Sequence, residues 1–407
     1  MSHTRRNFLK GAMGASVFMP FGAAMPNLLT SPAMAAKKRD DRDTVLVLVQ
    51  LSGGNDGLNT VVPYGDDEYG RNRSTLRMPT KELHKINSYV GFHPRMGSFM
   101  RLYKEGRLTI VRGVGSPYPD RSHENAMRVW HTADPDNLGR QRGWLGRAVD
   151  NEWAPTTTNA PAVFVGAISP PFALNARNVI IPSVRSGGDL VASQAGGAVE
   201  LPRTKADKSL LSFVRQCRAS GYANSRRIEA AAKSAGGTAE YPSFGLAGDL
   251  RTVAQLIRAD IGIRIFLVEL GGGGIGGFDN HANQLGNHCA MLHQLSESIA
   301  AFVDDLNGDK LLDRVLLMTF SEFGRILKEN GRRGTNHGNA APTFFAGGKL
   351  KGGLVGTHPS LTDLDNGALK HDIDFRRVYA TVLDKWLGFE SRLTLDKQYK
   401  PLDILNT

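Results

Sequence analysis

The chain has 407 residues, 41% of them hydrophobic, and 50 Lys plus Arg against 39 Asp plus Glu give a formal charge of +11. With 46 Gly and only 2 Cys it is neither a disulfide-stapled mini-protein nor a collagen, and its apolar content excludes a disordered chain. A chain this long buries a sizeable core without needing metal or disulfides to fold.

The first element is a leader. Arg5-Arg6-Asn7-Phe8-Leu9-Lys10 precedes an uncharged run from Gly11 to Ala24, and Ser31-Pro32-Ala33-Met34-Ala35-Ala36 offers small residues for cleavage after Ala35. Paired arginines ahead of a modest apolar stretch resemble a twin-arginine (Tat) export signal, with a Sec signal as the alternative. Residues 1–35 therefore read as a signal peptide, the Tat translocase as a partner and the periplasm or exterior as the destination. Removal of the leader takes Arg5, Arg6 and Lys10 and no acid, so the charge falls from +11 to +8. No other stretch approaches the ~20 apolar residues of a spanning helix.

Beyond the leader, residues 36–407 read as one domain. Continuous apolar runs predict strands buried on both faces at Thr44 to Leu51, Leu108 to Val114, Ala162 to Val165, Ile263 to Leu270, Arg314 to Phe320 and Pro342 to Ala346. Helical periodicity appears at Leu246 to Ala259, from about Ala282 to Leu306, and at Phe375 to Leu387. Alternating strands and helices predict an α/β fold, a mostly parallel sheet between helix layers. Residues from about 186 to 241 are rich in Gly, Ala, Ser, Lys and Arg and read as an insertion or cap. Cys217 and Cys289 are free to pair or not, for 71 intervening residues say nothing of their geometry.

In parallel sheets ligands bind beyond the carboxyl ends of strands. Four polar clusters sit there: Ser52 to Asn59, Ser116 to His123, Gly271 to His281, and Ser321 to Arg325 followed by Gly334 to Gly338. Asp56, Asp279 and Glu322 with His123, His281 and His337 make a set for divalent metal, one or two ions, since three converging carboxylates need cations to neutralise them. Mixed O and N donors do not separate Zn from Mn, Ca or Mg. Each residue also has a plain structural role open to it. Asp56 suits a turn, Asp279 a helix cap, and Glu322 with Arg325 an i,i+3 ion pair; His288 and His293 suit a helix core or surface.

Taken together, SGGNDGLN, RSHENAMRVW, GGFDNH, SEFGR, GTNHG and DFRRVYATVLDKWLG resemble a Tat-exported domain-of-unknown-function family, number 1501, grouped with the alkaline phosphatase and sulfatase superfamily. The resemblance spans about Val45 to Gly388. It implies a three-layer αβα sandwich and a metal-dependent hydrolase of phosphate or sulfate esters. Asp56 matches the superfamily's first Asp, Asp279 and His281 its Asp/His pair at altered spacing, and His337 its final His. Glu322 stands where an Asp-His pair is usual, without the adjacent His, a place open to His123; Asn336 replaces the Asp usual before His337. Ser122, at a helix start, is the candidate nucleophile or else an N-cap, and Arg121, with Arg325 as a second choice, would bind the substrate anion. The departures leave an alternative: a non-catalytic periplasmic or envelope binding protein that retains the fold. No basic stripe argues for nucleic acid.

Overall fold

The computed structural model describes residues 43–118, 120–153, 160–167, 169–179, 181–184, most of 227–237, 239–272 and 277–406. The expected leader, Cys217 and residues 186–226 of the expected insertion lie outside these residues. Within them run strands β1 (Val45–Leu51), β2 (Leu108–Gly115), β3 (Ala162–Val165), β4 (Ser183–Val184), β5 (Ile265–Leu270), β6 (Val315–Phe320), β7 (Ala341–Gly347), β8 (Gly353–Val355) and β9 (Ile373–Asp374). The longer helices are α1 (Gly97–Lys104), α2 (His123–Thr132), α3 (Trp144–Glu152), α4 (Gly245–Ala259), α5 (Gln284–Gly308) and α6 (Phe375–Ala380).

These strands form one nine-stranded sheet in the order β8-β2-β7-β6-β1-β5-β3-β4, with β9 beside β2. β1 lies at its heart, parallel to β5 through Leu46 to Leu51 and parallel to β6 through Val45 to Gln50. Every residue of β1 is buried, and the pleat sends alternate side chains to opposite faces. Val45, Val47 and Val49 pack with α1, α4 and α5, whereas Leu46 and Leu48 pack with α2, α3 and α6. That double coverage is the physical cause of the unbroken hydrophobic run, and it makes the fold the expected α/β sandwich of three layers. The one antiparallel member is β7, paired with both β2 and β6.

The predicted helix at 375–387 divides. α6 covers its first six residues, and Thr381–Leu387 continues as a π-helical turn capped by Gly388 at φ 71°. α5 begins two residues later than the periodicity suggests, behind Asn283 in a left-handed conformation. The described helices include none long and apolar enough to cross a membrane.

Candidate metal centre

The parallel strands β1, β5 and β6 end side by side, and their following loops meet. The loop after β1 turns through Gly53 and Gly54, both at positive φ. A side chain at Gly53 would collide with the backbone of Phe278 and Asp279, so glycine here lets the loop after β5 approach. The loop after β6 folds back on 336–339 through Gly338 N–H to Gly324 O at 2.7 Å and a backbone bridge between Arg325 and His337. α2 starts at His123, over the same edge.

Four side chains converge. His123, Asp279 and His337 offer ligand atoms all within 4.8 Å of one another. His281 joins them: its Nε2 lies 3.0 Å from Asp279 Oδ1 and 2.9 Å from His337 Nε2. Asp279 is 43% exposed and the histidines are half-buried, so the cluster is open to solvent on one side.

The partners of the rings fix their tautomers. Glu322, buried and receiving the Gly53 N–H at 2.8 Å, sits 2.9 Å from His123 Nδ1. The Arg121 carbonyl oxygen sits 2.6 Å from His337 Nδ1. Both partners only accept, so each Nδ1 carries the hydrogen and each Nε2 turns inward. Metal-ligating histidines are held this way, by an outer acceptor on the second nitrogen. The hydrogen bond that His123 donates to Glu322 raises the His123 pKa, whereas burial lowers that of His337.

The atoms left without partners decide whether a cation fits. His123 Nε2 is shielded from water and has no hydrogen-bond partner; it faces Asp279 Oδ2 at 3.4 Å. Lone pairs facing at that distance call for a proton or a metal ion between them. Three imidazole nitrogens and a carboxylate oxygen are a donor set suited to a borderline ion such as zinc. The residues present therefore fit a divalent metal.

Not every residue expected at the site is there. Asp56 is a correction: it turns inward, bound bidentately by Arg73 at 2.6 and 3.1 Å and by Gln284 Nε2. Asp56 is 2% exposed and Arg73 fully buried. Burial opposes ionisation of Asp56, but Arg73 outweighs it and holds the carboxyl below its usual range. An aspartate so neutralised has no need of a metal. Glu322 does not pair with Arg325; it stands behind His123, so α2 supplies the imidazole that the Ser321-Glu322 sequence lacks. Arg325 is buried and donates to Asp279 Oδ1 at 2.7 Å, which removes it as a free anion binder.

Ser122 occupies the cap position of α2 without making a cap bond; its exposed Oγ lies 3.2 Å from Asp120 Oδ2. The Arg121 guanidinium reaches Asp365 at 2.8 Å. Asn336 is exposed, 3.5 Å from Asn330, and is not one of the converging groups. His288 is a core residue bonded to Asn55 at 3.0 Å. Sequence reasoning missed Arg73 and Gln284, for neither stands in a motif. A groove of about 550 Å³ lies elsewhere, lined by Arg101, Glu240, Glu297, Asp304 and Asp305, and holds none of the converging groups.

The model of the family described as "Protein of unknown function (DUF1501)" matches residues 83–398. The chain belongs to that family. No curated protein matches its sequence. Among solved structures it is similar to the lipoteichoic acid synthase LtaP from Listeria monocytogenes, at 10% identity over 87% of this chain and 75% of that one, with a TM-score of 0.38. It is similar also to the PsFucS1 sulfatase from Pseudoalteromonas sp., at 10% identity over 88% and 70% with a TM-score of 0.36. The phosphonate monoester hydrolase SpPMH from Silicibacter pomeroyi is a third, at 10% identity over 85% and 74% with a TM-score of 0.36. The chemistry of the site rests on its own residues.

Proposed function

We propose that the protein is an exported, metal-dependent hydrolase of phosphate or sulfate esters. The observation that carries this reading is the inward Nε2 of His123, shielded and without a hydrogen-bond partner, among Asp279, His281 and His337 at the carboxyl edge of a parallel sheet. A divalent ion held there supplies positive charge to the oxygens of an anionic ester. His123, His281, His337 and Asp279 would hold it, and Glu322, accepting from His123 Nδ1, leaves the Nε2 of that ring facing inward.

Ser122, one residue before His123, stands where the free N–H groups of α2 favour an oxyanion, and it competes with water for the role of nucleophile. For Arg121 to clasp the substrate anion it must exchange Asp365 for it. The paired arginines of the leader support delivery by the Tat translocase to the periplasm or exterior.

The deciding experiment measures metal content in protein exported by its own leader, then turnover of aryl phosphate and aryl sulfate esters by the wild type, His337→Ala and Ser122→Ala. Loss of metal and turnover together in His337→Ala is expected. Equal turnover in wild type and His337→Ala sinks the metal reading, and full turnover in Ser122→Ala assigns the attack to water. A second reading, a non-catalytic envelope binding protein, draws on Ser122 and Arg121 being tied to Asp120 and Asp365. Its signature is stoichiometric metal with no turnover of either ester class.

A further inference from the structure

One buried cation touches the three loops, after β1, β5 and β6, that meet at the centre. Arg325 follows β6, and its side chain is 0% exposed. Its Nε donates to Gly54 O at 2.8 Å and its Nη2 to Gly53 O, both in the loop after β1. The same Nη2 reaches Phe278 O at 3.1 Å and Asp279 Oδ1 at 2.7 Å in the loop after β5. Nη1 donates to Thr335 O at 3.0 Å, two residues before His337. Arg325 itself forms the backbone bridge to His337.

We propose that Arg325 is the positioning residue of this centre: its guanidinium ties the three loops together and fixes Asp279, so the ligands are in place before any cation arrives. This rests on the metal reading above. A buried charge is tolerated only when its donors are met, and here the acceptors that meet it include the loops carrying Asp279 and His337. Contact at Oδ1 leaves Asp279 Oδ2 facing His123 Nε2. Lysine cannot replace it, because an ammonium offers three donors from one atom whereas the planar fork spreads five over three nitrogens. Arg73, equally buried, serves as the contrast, for its partners are Asp56 and the carbonyls of Ile326 and Leu327.

The test uses the full chain with Arg325→Lys and Arg73→Lys, both of which keep the charge. Cobalt(II) binding is followed by its visible spectrum, with thermal midpoint as the folding control. Arg325→Lys is expected to weaken cobalt affinity by about tenfold or more and to alter the spectrum, whereas Arg73→Lys lowers the midpoint and leaves both unchanged. Amide hydrogen exchange of metal-free protein supplies the second readout. Arg325→Lys should raise exchange together at 53–55, 278–280 and 335–338. Unchanged cobalt affinity in Arg325→Lys, an equal effect from Arg73→Lys, or faster exchange confined to one loop overturns the proposal. If the wild type binds no cobalt, the metal reading falls, and the exchange pattern alone decides whether Arg325 positions these loops.

Discussion

At the scale of single residues, Asp56 and Asp279 show how alike two acids look in sequence and how differently they end. Both follow a strand of the same sheet and both sit among glycines, yet one is closed off by Arg73 and the other opens to solvent beside three histidines. Asp56→Asn removes the charge that compensates a buried guanidinium, and the expected cost is about 3–5 kcal/mol in urea unfolding. The folded fraction of that variant should bind cobalt(II) as the wild type does, since Asp56 holds no ligand position. Gly53→Ala acts the other way. At φ 110° and against the Asp279 backbone, the added methyl is expected to cost about 1–3 kcal/mol and to weaken cobalt binding by displacing Asp279. Isothermal unfolding and cobalt titration of the two variants separate the effects, and wild-type cobalt affinity in Gly53→Ala would contradict the loop packing described above.

At the scale of elements, β1 carries the architecture. Its alternate residues enter two separate cores, so a cavity on either face weakens a helix layer as well as the strand. Leu48, with no exposed surface, packs toward α2, and Leu48→Ala is expected to lose about 2–5 kcal/mol, measured by the shift in urea midpoint at constant slope. α2 joins site and core: His123 opens it at the sheet edge, and Val129 and Trp130 near its other end are buried in the core. A helix seated by its apolar end places its polar end with little freedom, which is why His123 can meet Glu322 across 199 residues of sequence.

At the scale of the molecule, His93, His131 and His288 lie buried with their charged forms suppressed. Burial lowers the pKa of His93 and His131 to about 3 and that of His288 to about 4. The unfolded chain takes up these protons near pH ~6.5, whereas the folded chain resists until the pH is far lower. This contribution to stability is therefore whole above pH ~6.5 and lost as pH falls from there towards about 3. Urea midpoints measured across that range are expected to decline steadily; His131→Gln, whose neutral amide can still meet Gln50, should flatten the decline in part. The proposed leader is tested at this scale too. Replacing Arg5-Arg6 by Lys-Lys is expected to abolish export, read from the distribution of the protein between cytoplasm and periplasm, and undiminished export would favour the Sec route.

The sequence by itself determined the sheet and its helices, because a strand covered on both faces must be apolar throughout and a helix covered on one side must repeat its apolar residues every three to four positions. The strands at 162–165 and 315–320 emerge within a residue of their predicted limits, and the polar clusters beyond the strands were legible because strand ends in a parallel sheet are where backbone and side chains are free to meet a ligand. What pattern could not supply was pairing across distance. That Arg73 would close over Asp56, that Glu322 would stand behind His123 and accept from its Nδ1, and that Arg325 would turn inward to bind three loops all depend on which side chains the finished fold brings within hydrogen-bonding reach. Charge and donor geometry act over a few ångströms of space, and only the tertiary structure decides which residues share them.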